Sequence, residues 1–327
     1  MNYILETENL CKVYGKKKAL DNVSIHVDEG DVYGLIGKNG AGKTTLMKIV
    51  GGLSNATSGT YTFMGRKAGE IGDVITNRGL LIEDPGVLEN ETGYENLVIK
   101  EISLGIKDKN EAMHLLEMVG LKDAARTHVK KYSFGMRQRL GLALAFVGNP
   151  GFVILDEPIN GFDPQGINSV RELIKEKRRD GTTFLISSHI LGELSKIATK
   201  YGFINEGKLL EESTEQELIE KCKSRIELVA EDTPKAVTIL EAIGFRDYKV
   251  MENGMINIYE QVERTGDITN ALAKEGIATI EIVRRYEELE DYYMKLVGEN
   301  EANNQAAMLS NENSGSVNAG DRRTESK

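Results

Sequence analysis

A glycine-rich loop between an apolar strand and a helix places the strongest constraint on this fold. Residues 37–44 read GKNGAGKT and match the pattern GxxxxGK[ST]. They follow the apolar run 32–36 and precede residues 45–50, where apolar side chains recur at helical spacing. Glycines allow backbone N–H groups to converge on phosphates, the lysine adds positive charge, and the hydroxyl can ligate Mg²⁺. The loop predicts an α/β fold with a phosphate site.

A second apolar run ends in two carboxylates. Phe152–Leu155 is followed by Asp156 and Glu157, and open α/β sheets bind ligands at the carboxyl ends of their strands. We expect Asp156 to hold Mg²⁺ and Glu157 to orient or deprotonate an attacking water. A further strand is predicted over Thr183–Ser187, after a helix around Ser169–Arg179, which indicates a largely parallel sheet.

The remaining pattern predicts two domains and a tail. Alternating residues from Asn2 to about Glu29 favour antiparallel strands, and helical spacing over about 85–145 favours a helical insert. We assign residues 1–222 to this first domain. Residues 223–297 read strand, helix, hairpin, helix, strand and helix, which predicts a small α+β domain of ferredoxin-like type. Residues 298–327 have few aliphatic side chains, so we expect a disordered tail.

Composition excludes several classes of protein. The formal net charge of −10 argues against binding nucleic acid, since such proteins gather Lys and Arg on one face. Cys11 and Cys222 lie far apart, without the spacing of a disulfide framework or a zinc site. Asn149 and Pro150 interrupt the longest apolar stretch, which is too short for a bilayer span. The sequence therefore predicts a cytoplasmic chain that does not cross a membrane alone.

The segment 132–139, YSFGMRQR, resembles the LSGGQxQR signature of ABC ATPases, and it lies between the glycine loop and Asp156 as in that family. Phe134 replaces the first glycine of the signature and Met136 replaces its glutamine. The chain is therefore identified as a member of the ABC ATPases over about residues 2–220. In fold terms the resemblance implies a P-loop NTPase cassette of α/β class, with an antiparallel β subdomain and a helical insert.

The resemblance assigns roles to residues that no local pattern would single out. Ser133 and Gly135 would grip the γ-phosphate bound by a second copy, and His189 would be the switch histidine that supports Glu157. Tyr14 would stack on adenine, for which a core tyrosine is the competing interpretation. Residues 160–163, NGFD, resemble the loop that crosses the dimer interface.

Glu83 stands where most members of the family carry a glutamine that senses Mg²⁺ and the membrane partner. A carboxylate can still ligate Mg²⁺. Glutamate at this position is similar to the ATPases of bacitracin and lantibiotic resistance transporters, and a small C-terminal domain is also seen in that group. The resemblance therefore favours export of peptide antibiotics, and export of another substrate, such as ions, lipids or drugs, is the alternative.

Taken together, the motifs and the resemblance predict that the chain is an ATPase that uses ATP and Mg²⁺. It would work as a homodimer, or paired with a related cassette, on a separate transmembrane permease at the inner face of the membrane. Glu157 and His189 are the expected catalytic residues, and Thr44, Glu83 and Asp156 the expected metal ligands. The expected nucleotide-binding residues are Tyr14, Gly37, Asn39, Gly40, Ala41, Gly42, Lys43, Thr44, Thr45, Glu83, Ser133, Gly135 and Asp156.

Three functions outside transport are less consistent with the sequence. A DNA-repair or cohesin-like ATPase would separate its nucleotide motifs by hundreds of residues of heptad coiled coil, and the gap here is short. A ribosome-associated factor of the same superfamily would carry two cassettes, and the chain has one glycine loop. A regulatory pseudo-ATPase would be expected to lack Lys43 or Glu157, and both are present.

Overall fold

The structure is a computed structural model that describes residues 3–70, 77–106, 111–222, 224–285, 289–300 and 302. Contacts between Cα atoms divide the chain into two compact units. One unit holds Met1–Glu215 and the other Gln216–Ala302. The sequence suggested a boundary after residue 222, and the observed division lies seven residues earlier, after Glu215.

The first unit combines two sheets with helices. Its strands are β1 (Tyr3–Tyr14), β2 (Lys17–Val23), β3 (His26–Asp28), β4 (Val32–Ile36), β5 (Ser58–Phe63), β6 (Arg66–Lys67), β7 (Arg78–Leu81), β8 (Phe152–Asp156), β9 (Thr183–Ser188), β10 (Lys200–Asn205) and β11 (Lys208–Thr214). Its helices are α1 (Lys43–Val50), α2 (Gly93–Ser103), α3 (Glu111–Met118), α4 (Phe134–Phe146), α5 (Pro164–Arg179) and α6 (Leu191–Leu194), and α7 (Glu215–Lys221) follows at the division.

The two sheets differ in direction. One has the order β2-β1-β5-β6, with β3 also on β1, and its pairings are antiparallel. The other has the order β11-β10-β4-β9-β8-β7 and is parallel except for the pair β10–β11. This arrangement confirms the predicted fold class. It also brings the carboxyl ends of β4, β8 and β9 to one edge of the parallel sheet.

Helix α1 joins the two sheets through a shared core. Its apolar residues Leu46 and Met47 are fully buried, in one cluster with Leu5 of β1, Phe63 of β5 and Phe152 of β8. Burying a large apolar side chain contributes about 1.5–3 kcal/mol. The phosphate loop, which precedes α1, is therefore anchored to a helix that packing holds on both sides.

The helical insert predicted over about 85–145 contains α2, α3 and α4. Thr92 and Glu95 form a reciprocal capping box at the start of α2, and the Ser133 hydroxyl caps α4 by accepting a hydrogen bond from the Met136 N–H. Both caps satisfy N–H groups that a helix cannot pair internally. Helix α4 packs on β7 at Gly79, where the backbones of the two elements come close.

Replacing Gly79 by alanine is expected to destabilise the first unit. An added Cβ would lie 1.9 Å from the Ala145 carbonyl oxygen, so the backbone of α4 or β7 must shift, at a cost of about 3 kcal/mol in the free energy of unfolding. Urea titration followed by circular dichroism measures this loss. Gly135→Ala, on α4, is the matched control, since its Cβ would approach no atom closer than 3.6 Å. Equal stability of the two variants would contradict the packing argument.

In the second unit, a four-stranded sheet and the two helices between its strands share a core of buried apolar residues. The sheet has the order β13-β14-β12-β15, and each of its pairs is antiparallel. This order and the sequence strand, helix, hairpin, helix, strand match a ferredoxin-like arrangement. The elements are β12 (Arg225–Ala230), α8 (Thr233–Ala242), β13 (Tyr248–Val250), β14 (Ile256–Ile258), α9 (Thr265–Lys274) and β15 (Thr279–Arg285).

A last helix covers residues 289–300 and passes the position where the sequence suggested that the tail begins. Residue 301 and residues 303–327 of the predicted tail lie outside the described residues. Among the helices in the described ranges, none is long and apolar enough to cross a bilayer.

Candidate active site

The phosphate loop owes its shape to glycine at the start of α1. Gly42 has a φ of +112°, and an added Cβ would lie 2.7 Å from the Ala19 carbonyl oxygen. A side chain at this position would therefore meet both strain and a backbone atom. Within the described part of the chain, no side chain caps α1. The N–H groups of its first turn are left to hydrogen-bond an anion.

A cavity of about 260 Å³ lies beside this loop. It brings together the glycine loop, the aromatic residue near the end of β1 and both carboxylates at the end of β8. Nine of the expected site residues line it: Tyr14, Asn39, Gly40, Gly42, Lys43, Thr44, Thr45, Asp156 and Glu157. Three residues that the sequence did not single out also line it: Lys17, Ala19 and Lys38.

Lys43 is the buried cation of this cavity. Its side chain is 6% exposed, and its Nζ donates to the Gly37 carbonyl oxygen at 2.5 Å. The Glu157 Oε1 atom lies 3.6 Å from the same Nζ, too far for a hydrogen bond. Gly37 thus helps to position the Lys43 side chain through its carbonyl oxygen. Ala41 is buried and accepts a hydrogen bond from the Gly207 N–H through its carbonyl oxygen.

Thr44 and Asp156 meet at the base of the cavity. The Thr44 hydroxyl donates to Asp156 Oδ2 at 2.7 Å, and the Ser187 hydroxyl donates to Asp156 Oδ1 at 2.5 Å. Mg²⁺ prefers oxygen ligands and keeps several waters, so one hydroxyl and one carboxylate beside a phosphate site suit it. The donor set therefore fits a magnesium ion held jointly with nucleotide phosphates.

The two carboxylate oxygens of Glu157 face different residues, His189 on one side and Lys43 on the other. Its Oε2 lies 2.7 Å from His189 Nδ1, whereas Oε1 is buried and has no hydrogen-bond partner among the described residues. The backbone of Glu157 is left-handed, with a φ of +50°, and its N–H donates to the Ser187 hydroxyl at 2.9 Å. A non-glycine residue held in this conformation at a site is a functional signal.

Tyr14 presents an open aromatic face at the cavity. The side chain is 50% exposed, so the interpretation of Tyr14 as a core residue is wrong. Lys12 Nζ lies 4.9 Å from the centre of its ring. A flat exposed ring can stack on a base.

Glu83 does not line the cavity. Its Oε2 atom is 2.7 Å from Lys48 Nζ, and its backbone has a φ of +60° in the turn after β7. The sequence suggested a metal ligand at this position. In this structure Lys48 on α1 holds the carboxylate instead.

Ser133 and Gly135 lie at the start of α4, outside the cavity formed by their own chain. Phe134, between them, is 66% exposed and lies against Gly161, where an added Cβ would be 2.6 Å from the ring. Arg139 of α4 lies over the Phe162 ring at 5.1 Å. The signature segment and the 160–163 loop therefore contact one another within the chain.

Sequence reasoning missed two residues that organise the site. Ser187 bonds both Asp156 and the Glu157 backbone, and Lys48 holds Glu83. Ser187 could have been found from its place at the end of the strand before His189. Nothing in the sequence marks Lys48, because its partner is distant along the chain.

Comparison with known proteins gives the family. The profile described as ABC transporter matches residues 20–160. The bacitracin transport ATP-binding protein BcrA of Bacillus licheniformis is 39% identical over 301 residues, covering 91% of this chain and 98% of that protein. The lantibiotic transport ATP-binding protein SrtF of Streptococcus pyogenes is 43% identical over 207 residues, covering 63% and 89%.

A solved structure shows the same architecture. An ATP-binding cassette of an ABC transporter in its ADP conformation superposes with a TM-score of 0.58 at 28% identity, covering 68% of this chain and 95% of that one. The fold, the phosphate loop and the sequence relatives all indicate the same family. This chain belongs to the ABC transporter ATP-binding proteins, which are ATPases coupled to transport.

Proposed function

We propose that this chain drives the export of peptide antibiotics of the bacitracin or lantibiotic type and so confers resistance to them. One observation carries the proposal: similarity to a bacitracin transport protein extends over 98% of that protein. The match covers 91% of this chain, so it runs beyond the cassette into the second unit. Glutamate at position 83 adds support, since it is a feature in which the chain resembles the ATPases of bacitracin and lantibiotic resistance transporters.

Within the site, Lys43 and the N–H groups of the loop bind the nucleotide phosphates, and the Tyr14 ring stacks on adenine. Thr44 and Asp156 would hold Mg²⁺, which would neutralise charge on the phosphate oxygens. Glu157 Oε1 accepts a proton from water as the water oxygen attacks the γ-phosphorus in line, and the bond from that phosphorus to the β–γ bridging oxygen breaks to release ADP and phosphate. His189 orients Glu157 through the contact at Oε2.

Two copies complete two sites. Ser133 and Gly135 lie outside the cavity of their own chain, at the N-terminus of α4, where unpaired N–H groups attract phosphate. They would bind the γ-phosphate held by a second cassette, identical or related. Phe134 and the 160–163 loop would lie at the same interface.

A transmembrane permease would bind the side of the insert and hold the chain at the inner face of the membrane. A cavity of about 510 Å³ lies between β7, α2 and the end of α4. Leu88, Ile99 and Ile102 expose apolar surface in or near it, and exposed apolar patches mark interaction sites. Strand β7, which precedes the turn at Glu83, lines this cavity, so the permease would bind next to that turn.

Growth inhibition tests this function. Cells that express the chain with its candidate permease are exposed to bacitracin-like and lantibiotic peptides, and wild type is compared with Lys43→Ala. We expect wild type alone to raise the inhibitory concentration of at least one peptide. If neither protects while the purified chain hydrolyses ATP, the motor serves another substrate, such as ions, lipids or drugs.

A further inference from the structure

The Lys48–Glu83 ion pair lies one helical turn from the proposed magnesium site. Lys48 follows Thr44 by four residues on α1, and residues at this spacing share a face of a helix. The Thr44 hydroxyl contacts Asp156. The Lys48–Glu83 pair therefore lies on the face of α1 that carries the Thr44 hydroxyl, and neither residue lines the cavity.

The turn that carries Glu83 is constrained on both sides. Ile82 and Leu81 are buried before it, and Ile82 forms an isolated bridge with Asp84 across it. The Asp84 carboxylate accepts a hydrogen bond from the Gly86 N–H at 2.8 Å. The backbone is thus fixed close to Glu83, so the long side chain is the part that can change partner.

Both members of the pair are accessible to solvent. The side chain of Lys48 is 32% exposed and that of Glu83 is 58% exposed. Ion pairs of this kind contribute little, because water and salt screen them. A divalent cation one turn away can therefore compete for the carboxylate.

We propose that Lys48 is a positioning residue that holds Glu83 in the absence of nucleotide and releases it when Mg²⁺ and nucleotide bind. This inference rests on the proposed magnesium site at Thr44 and Asp156. Lys48 and the cation then compete for one carboxylate, and the Glu83 side chain adopts one conformation for each partner.

The competition can be measured by binding alone. The full chain carrying Glu157→Gln, which removes hydrolysis, is titrated with a fluorescent ATP analogue at increasing Mg²⁺ concentration. Lys48→Met keeps the apolar stem and removes the charge. We expect the Mg²⁺ concentration for half-maximal binding to fall about two- to fivefold, the range open to an exposed ion pair.

The same substitution combined with Glu83→Gln is the control. Removing a nearby positive charge strengthens the binding of any cation. Such a general effect would lower the Mg²⁺ concentration for half-maximal binding equally with Glu83 and with Gln at position 83. The inference requires that Lys48→Met lower this Mg²⁺ concentration more in the chain that keeps Glu83 than in the chain that carries Glu83→Gln. Lys48→Arg, which keeps the positive charge, should restore the wild-type value. Equal shifts in the two backgrounds would overturn it. If binding does not depend on Mg²⁺ in the parent chain, the magnesium site itself is wrong, and the inference falls with it.

Discussion

ATP hydrolysis by Glu157→Gln is expected to fall at least about 100-fold, because general bases contribute about 10²–10⁴ to such rates. Glutamine has nearly the same shape and keeps the left-handed backbone of residue 157. Its amide cannot accept the proton of the attacking water. ATP should therefore bind with an affinity within about threefold of wild type, since no phosphate-binding group is lost.

Phosphate release measures the rate, and size-exclusion chromatography with ATP measures assembly. If two copies close over two nucleotides, the variant should accumulate as an ATP-dependent dimer. Glu117→Gln is the control: Glu117 is an exposed carboxylate paired with Lys122, and its rate should stay within about twofold of wild type. A Glu157→Gln rate equal to wild type would remove Glu157 from the catalytic role.

Lys43→Ala should weaken ATP binding by about ten- to a hundredfold and reduce hydrolysis further. Hydrogen bonds to charged groups contribute about 1.5–3 kcal/mol, and a buried donor stabilises developing charge more than one in water. Lys43 is nearly buried and lies between the loop carbonyls and Glu157. Its removal leaves the phosphate site without its buried cation.

Isothermal titration calorimetry with a non-hydrolysable analogue measures this loss. The control is Lys122→Ala, since Lys122 is exposed and pairs with Glu117 in the helical insert, outside the cavity lining. We expect its affinity to stay close to that of wild type. Comparable losses in the two variants would show that general positive charge, and not the position of Lys43, governs binding.

Much of the fold was accessible from the sequence because its signals are local. The strand, loop and helix at residues 32–50 were predicted, as were both carboxylates at the end of β8 and the helices of the insert. In the second unit the hairpin and both helices were also predicted. Periodicity and turn chemistry act between near neighbours. The substrate class came from resemblance, since no residue pattern encodes it.

Contacts between distant segments were decided by the tertiary structure. Ser187 bonds Asp156 because β8 and β9 are neighbours in the parallel sheet, and Phe134 lies on Gly161 because α4 begins beside that loop. Glu83 was expected at the metal, and packing instead places it against Lys48. The sequence by itself determined which groups could bind phosphate and activate water, because local residue types supply that chemistry. Which groups meet depended on strand order and helix packing, which bring distant residues within hydrogen-bonding range.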